Sequence, residues 1–260
     1  MPKVLVCYKW VLDEQDIKIK AGDLSLDSGR AKGKISDYDK NAIEAAVLLV
    51  EKYGGSAAAL TFGNTKVKQS LKDALSRGPG QAYWIGDDAI ADKADAFITA
   101  NILAAAIRKT DSYDLILCGE GSSDVYNQQI APRIATLLEI PIVTFVKEIG
   151  IETEKVIATR KLGECTETIE IKGPAVISVL PEINKPRIPS LKQVMAAAKK
   201  PSAEIKVSDL GLAPDDLEPK VVVLSDAGYV MNRKNILFKE ASQADNVAKL
   251  VANLAQEGIC

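Results

Sequence analysis

The 260-residue chain contains no histidine. Imidazole is the commonest general acid, base and metal ligand near neutral pH, so Ser-His-Asp triads and histidine-based zinc sites are excluded. No pair of acids stands at a recognisable catalytic spacing, which favours a binding or carrier role with the chemistry held elsewhere. Cysteine is scarce. Cys7, Cys118, Cys165 and Cys260 form no CxxC pair and no metal-ligand spacing, and the first two fall in predicted strands, where a thiol acts as a small hydrophobe. This usage fits a reducing, cytoplasmic setting. No segment approaches the roughly 18–20 uninterrupted apolar residues that a membrane span needs. The N-terminal MPKVLVCYKWVLDEQD, interrupted by Lys9 and followed by acids, is unlike a signal peptide. Charge excess is also lacking: 33 basic against 35 acidic residues leave −2, so no global field recruits nucleic acid or an anionic membrane.

With 47% hydrophobic residues, the chain can bury roughly 70–75% of its unfolded surface. Apolar runs alternate with helical patterns through its first half, the signature of βαβ units around a parallel sheet. Strands are predicted at Val4–Tyr8, Ala57–Phe62, Ala82–Ile85, Leu115–Cys118 and Pro141–Val146. Helices are predicted at Asp39–Tyr53, with Ile43, Val47 and Val50 on one face, at Thr65–Arg77, at Asp92–Lys109, and from after the fourth strand to about Leu138. Asp13–Gly33 reads as a long polar connection. Lys155–Arg160 and Glu167–Ile171 alternate as antiparallel strands do, and with Ala175–Val179 they are expected to extend the sheet on one edge. The fold class is therefore α/β: a Rossmann-like, doubly wound, mainly parallel sheet extended by antiparallel strands, with a C-terminal arm. Pro181, Pro186 and Pro189 interrupt regular structure and mark a boundary between 1–184 and 185–260. Beyond them come a short helix at Leu191–Ala198, a stretch from Lys199 to Lys239 with little core-forming material, and a final helix at about Ala241–Leu254.

The segment YDLILCGEGSSDVYNQQIAP, Tyr113–Pro132, carries the most functional information. A buried strand runs into a Gly/Ser/Asp loop and then a helix, whose free N–H groups and dipole favour phosphate. Gly119 and Gly121 would let the backbone turn tightly and approach a ligand. Pro132 must lie in the first helical turn, which places the helix start near Tyr126–Gln128 with Ser123 or Asp124 as cap. The same order also serves a plain strand-to-helix turn, and it matches neither a Walker loop nor GxGxxG. In a doubly wound sheet, ligands bind beyond the carboxyl ends of the strands where the winding reverses. Lys9, the Ser36–Asp39 turn, Phe62-Gly63-Asn64 and the Gly119 loop all follow strand ends and can converge there. Taken singly, Lys9 is also a solvated strand-end lysine, Ser36 or Asp37 a helix cap, and Gly63 a turn residue. Arg77 fits a helix stop better than an anion ligand. Leu191 and Met195, four apart, share a helix face, and their spacing alone favours packing onto the parent domain over service as an anchor for a partner.

Five segments in order resemble the electron transfer flavoprotein beta subunits, closest to the Fix-type branch: VLVCYKWVLDEQDIKI, KISDYDKNAIEAA, DALSRGP, DLILCGEGSSDVYNQQIAP and PEINKPRIPSLKQVMAAAKKP. The resemblance implies a heterodimer with an electron transfer flavoprotein alpha subunit, FAD shared with that subunit, and AMP or a second FAD in this one. The resemblance implies the nucleotide against Cys7, Ser36, Asp37, Tyr38, Asp39, Phe62 and the run Ser122, Ser123, Asp124, Val125, Tyr126, Asn127, Gln128, Gln129, Ile130, Ala131, Pro132 and Arg133, to which the strand-end reading adds Lys9, Gly63, Gly119 and Gly121. Pro189, Leu191 and Met195 are implied as partner-binding residues, in a recognition loop that docks an acyl-CoA dehydrogenase-like donor; this reverses the preference drawn from spacing. A quinone oxidoreductase is the implied acceptor, and the last helix would cross to the alpha subunit. The chain departs from the family at KLGECTE after Arg160, where acids are usual, and at Asp124-Val125-Tyr126-Asn127, where bulky Tyr126 leaves AMP against a second FAD open. A stand-alone adenine-nucleotide-binding protein of the universal stress type shares the loop logic and predicts a homodimer instead. No catalytic side chain and no metal site are expected.

Overall fold

A computed structural model describes every residue except Glu154, Val230, Asn232 and Cys260; Cys260, one of the four cysteines, thus lies outside the described residues. In chain order the strands and helices are β1 (Lys3–Cys7), β2 (Trp10–Leu12), β3 (Lys18–Ile19), β4 (Leu26–Asp27), β5 (Gly33–Ile35), α1 (Asp37–Tyr53), β6 (Ser56–Gly63), α2 (Ser70–Ser76), β7 (Gln81–Gly86), α3 (Asp88–Lys93), α4 (Ala96–Lys109), β8 (Leu115–Gly119), α5 (Ile130–Leu138), β9 (Ile142–Glu152), β10 (Lys155–Leu162), β11 (Cys165–Lys172), β12 (Ala175–Val179), α6 (Leu191–Ala197), β13 (Ser202–Lys206) and α7 (Gln243–Gln256).

Nine strands form one sheet in the order β11-β10-β9-β12-β8-β1-β6-β7-β13. From β9 to β13 neighbours run parallel, while β10 and β11 continue antiparallel beyond β9. This is the doubly wound α/β architecture that the alternation predicts. The chain winds from β1 outward through β6 and β7, then returns across β1 to β8, so the winding reverses between β1 and β8. Strands in the middle of such a sheet are covered on both faces and read as continuous apolar runs. On β1 and β8, Val4, Val6, Leu115 and Leu117 pack towards α1 and α2, whereas Leu5, Cys7, Ile116 and Cys118 pack towards α4 and α5.

Several expectations need correction. Ala175–Val179 does not extend the edge with β10 and β11; it lies between β8 and β9, parallel to both, and all five residues are buried. The connection after Asp13 carries the short strands β3 and β4, and β5 at its end pairs antiparallel with β2 just ahead of it, returning the chain to the start of α1. The helix expected over Asp92–Lys109 is two, because Asp95 turns its carboxylate to the Ile98 N–H at 2.9 Å and caps α4 afresh. The helix expected from Thr65 opens as a 3-10 turn before α2. Lys199–Lys239 is not without core material either: β13 pairs with β7, and Val207 and Leu210 are buried.

By compactness the chain divides into one unit of residues 1–18 and 27–226, and another of 19–26 and 227–260. In the second, Ser242 caps α7 by accepting from the Asp245 N–H, and no residue of this amphipathic helix is buried. Val247, Leu250 and Val251 stand exposed. No helix among the described residues is long and apolar enough to cross a membrane.

Candidate functional site

At the carboxyl ends of β1 and β8, Asp39 bridges the point where the winding reverses. Its carboxylate accepts from the Lys9 N–H at 2.8 Å and from the Gly119 N–H at 3.2 Å. Burial pushes its pKa up to about 7, against the two N–H donors and the Lys9 charge that favour the ionised form, with Asp124 adding to the rise. The brace explains Gly119. A Cβ there would stand 2.7 Å from the Asp39 carboxylate and 2.9 Å from Tyr38, so the missing side chain admits the first turn of α1. Gly121 is likewise filled from within, since a Cβ would meet the Tyr126 ring at 2.5 Å. Neither glycine has positive φ; close approach of this protein's own residues, instead of a tight turn, is what the two positions require.

The loop after β8 is clamped to the start of α1 by a reciprocal pair of serines. Ser36 Oγ accepts from the Ser123 N–H at 3.2 Å, and Ser123 Oγ accepts from the Asp37 N–H at 3.0 Å. Ser123 therefore caps α1 and not its own helix, contrary to expectation. Asp124, the other expected cap, pairs with Lys9 Nζ at 2.5 Å and accepts from Ser122 Oγ and the Val125 N–H. Burial works to raise its pKa, but Lys9 and the Ser122 hydroxyl hold it below the usual carboxylate range. Tyr38 and Tyr126 lie with ring centroids 5.1 Å apart beside this network.

The helix does not begin near Tyr126–Gln128. Tyr126 and Gln128 have φ of 46° and 56°, a left-handed backbone that no α-helix contains, so α5 starts at Ile130 and Pro132 still falls within its first turn. No side chain caps α5; Gln129 turns its amide oxygen to Arg133. Of the candidate residues, Lys9, Ser36, Asp37, Asp39, Gly119, Ser122, Ser123, Asp124 and Val125 thus share one hydrogen-bonded network. Tyr38, Gly121 and Tyr126 border it. Asn127, Gln128 and Gln129 are exposed further along the loop, Ile130 and Pro132 are half-buried, and Ala131 is packed into the core. The Cys7 thiol is buried against Cys118, so only its backbone stands at the strand end. Phe62 and Gly63 end the strand on the other side of β1; a Cβ at Gly63 would strike Val67 at 2.5 Å. Two concavities of about 440 and 350 Å³ lie elsewhere. One faces Tyr83, Lys109 and Glu204, and the other lies between α2 and the Pro189–Val194 stretch.

A second assembly holds the proline-rich segment to α1. Arg187 makes a fork to Glu44, at 2.8 and 2.9 Å, and another to Glu51, at 2.7 and 3.0 Å. Asn41 donates to the Pro181 and Asn184 carbonyls, and Asn184 donates back to the Asn41 carbonyl. Arg77 donates to the Arg187 carbonyl instead of waiting for an anion. Sequence reasoning missed these partners, although Asn41, Glu44 and Glu51 fall at i, i+3 and i+10, a polar stripe on an otherwise core-facing helix. The segment so held carries α6, which opens at Leu191 because Ser190 and Gln193 form a capping box. Leu191 is 77% and Met195 66% exposed, and Ile188 beside them is bare. The packing onto the parent domain favoured by their spacing is absent; Pro189 lines the neighbouring concavity.

An open, mainly parallel sheet with a polar, serine-clamped network where its winding reverses defines a doubly wound α/β protein. The electron transfer flavoprotein domain model matches residues 23–210. The chain belongs to the electron transfer flavoprotein family, whose business is electron transport by flavoproteins. Among the described residues, no cluster of three acids or cysteines could hold a metal ion.

Proposed function

We propose that the chain is the beta subunit of a heterodimeric electron transfer flavoprotein of the Fix type, an electron carrier and not an enzyme. It takes electrons from a flavin dehydrogenase of the acyl-CoA dehydrogenase kind and passes them to a quinone oxidoreductase. FAD is shared with the alpha subunit, and an adenine nucleotide, AMP or a second FAD, sits in this subunit between the ends of β1, β6 and β8. The flavin supplies the redox chemistry; the residues here bind and orient. In this reading 1–184 is the nucleotide domain and 185–260 the docking loop and arm.

The observation that carries the proposal is the join between family membership and the Ser36–Ser123 clamp, which sets the N-terminus of α1 against the β8 loop over the crevice. The residues present suit an adenosine phosphate: Lys9 and Ser122 offer charge and hydroxyl, α5 leaves its first turn without a side-chain cap, and Tyr38 and Tyr126 offer aromatic faces to a base. Two exposed apolar surfaces support a protein that works in company. One is the row Ile188, Leu191 and Met195, held out by Arg187; the other is the apolar face of α7.

The test is a count. Purified with its partner and then denatured, the protein is expected to release one FAD and one AMP per heterodimer. Two FAD and no AMP would indicate a bifurcating complex that splits an electron pair, and release of neither flavin nor AMP would refute the proposal.

A further inference from the structure

The Asp124 carboxylate lies in a cradle of three donors. Lys9 Nζ stands 2.5 Å from Oδ2, while Ser122 Oγ at 2.5 Å and the Val125 N–H at 2.8 Å serve Oδ1. An ammonium, a hydroxyl and a backbone amide converging on the oxygens of one anion form a donor set that suits a phosphate equally well. Here the anion comes from the loop itself.

The surrounding charge makes this arrangement consequential. Lys34 and Lys40 are both tied to Asp37, at 3.1 and 2.5 Å. That leaves Lys9 as the cation of the crevice network, and it is already matched by Asp124 with the Asp39 carboxylate beside it. A phosphate brought to the network with Asp124 in place would meet a lysine already neutralised by a carboxylate, so the local charge gives it no attraction. The obstacle is movable. The pair is partly exposed, with Lys9 at 47% and Asp124 at 35%, and such pairs are weakly held. The loop also carries left-handed backbone at two non-glycine residues, Tyr126 and Gln128, a cost that a rearranged loop can recover.

We propose that Asp124 stands in for the nucleotide's phosphate, and that binding is an exchange of anions: phosphate oxygens take over Lys9, Ser122 and the Val125 N–H while Asp124 turns out to solvent. This rests on the nucleotide reading of the site and adds a specificity-determining residue to it. A ligand must outcompete a tethered carboxylate, so small monoanions fail and a dianionic phosphate carried on an adenosine succeeds.

Calorimetric titration of the full chain with AMP and with adenosine tests the exchange. Asp124→Asn, which keeps an acceptor for Ser122 but removes the charge, is expected to bind AMP about tenfold more tightly, and Lys9→Met about tenfold more weakly, with adenosine unchanged in both. If the native protein binds AMP and Asp124→Asn binds it no better, the exchange is wrong and the nucleotide site stands. If neither protein binds AMP or FAD, the nucleotide reading fails and the exchange with it. Should Asp124→Asn not fold, Lys9→Met decides, because undiminished AMP affinity in that variant overturns the proposal.

Discussion

Replacing Arg187 by alanine is expected to cost about 3 kcal/mol of stability and to slow electron uptake from a docked donor. The estimate follows from what the arginine leaves behind. Glu44 is buried, with a side chain only 7% exposed, and without its fork it would keep a charge with no counter-ion; breaking such a pair costs about 3–5 kcal/mol. The lower end applies because Arg187 is itself 25% exposed. The Glu51 arm is 53% exposed and adds little. Stability would be read from the denaturant midpoint, and uptake from the rate at which an acyl-CoA dehydrogenase-type donor reduces the flavin. Leu191→Asp separates the two effects: it touches no fork, so it should slow uptake about tenfold or more, as expected of an interface anchor, at an unchanged midpoint. An Arg187→Ala protein as stable as the native one would show that the staple is ornamental. Native uptake in Leu191→Asp would remove the docking role from α6.

The second large effect belongs to Asp39. Its folded pKa of about 7 lies above the ordinary carboxylate value of 3.8, so between roughly pH 4 and pH 7 the folded chain holds a proton that the unfolded chain has lost. Folding stability contributed by this group therefore falls as pH rises through that window and is level above it. Three pH units of difference correspond to on the order of 4 kcal/mol. Asp39→Asn cannot titrate, and because the Lys9 and Gly119 N–H groups bond different carboxylate oxygens, its NH2 would face one of them and leave that N–H without an acceptor, at a cost of about 1–3 kcal/mol. The native protein should thus exceed the variant most clearly at pH 5 and lose much of that margin by pH 8. A constant difference from pH 5 to pH 8 would mean that Asp39 is ionised throughout.

Much of this was legible in the residues, and the failures share a cause. Strand positions in the sheet's interior follow from LILC, apolar without break, and from AVISV, interrupted only by the small Ser178, although the edge placement of Ala175–Val179 misses that so apolar a run demands cover on both faces. The strand ends that form the crevice followed from alternation alone. What could not be read was which neighbour each polar side chain would choose. Ser123 lies ahead of a helix in sequence yet caps a different helix 86 residues earlier in the chain, and Gly119 looks like a ligand-approach glycine but makes room for Asp39. The start of α5 was misplaced because proline rules bound a helix from inside and say nothing of the left-handed residues outside it. The spacing of Leu191 and Met195 reports a shared helix face and not what that face meets. Arg187 against Glu44 and Glu51, with Asn41 and Arg77, holds that segment in place.

The claim beneath all of this is that the crevice between the Ser36–Asp39 turn and the β8 loop seats an adenine nucleotide. Amide hydrogen exchange with and without AMP addresses it directly, since it locates the contact along the chain. The expected result is slowed exchange at residues 36–39 and 121–129, with little change at Tyr83, Lys109 or Glu204. Slowed exchange confined to that distant concavity, or none anywhere with either AMP or FAD at saturation, would contradict the account.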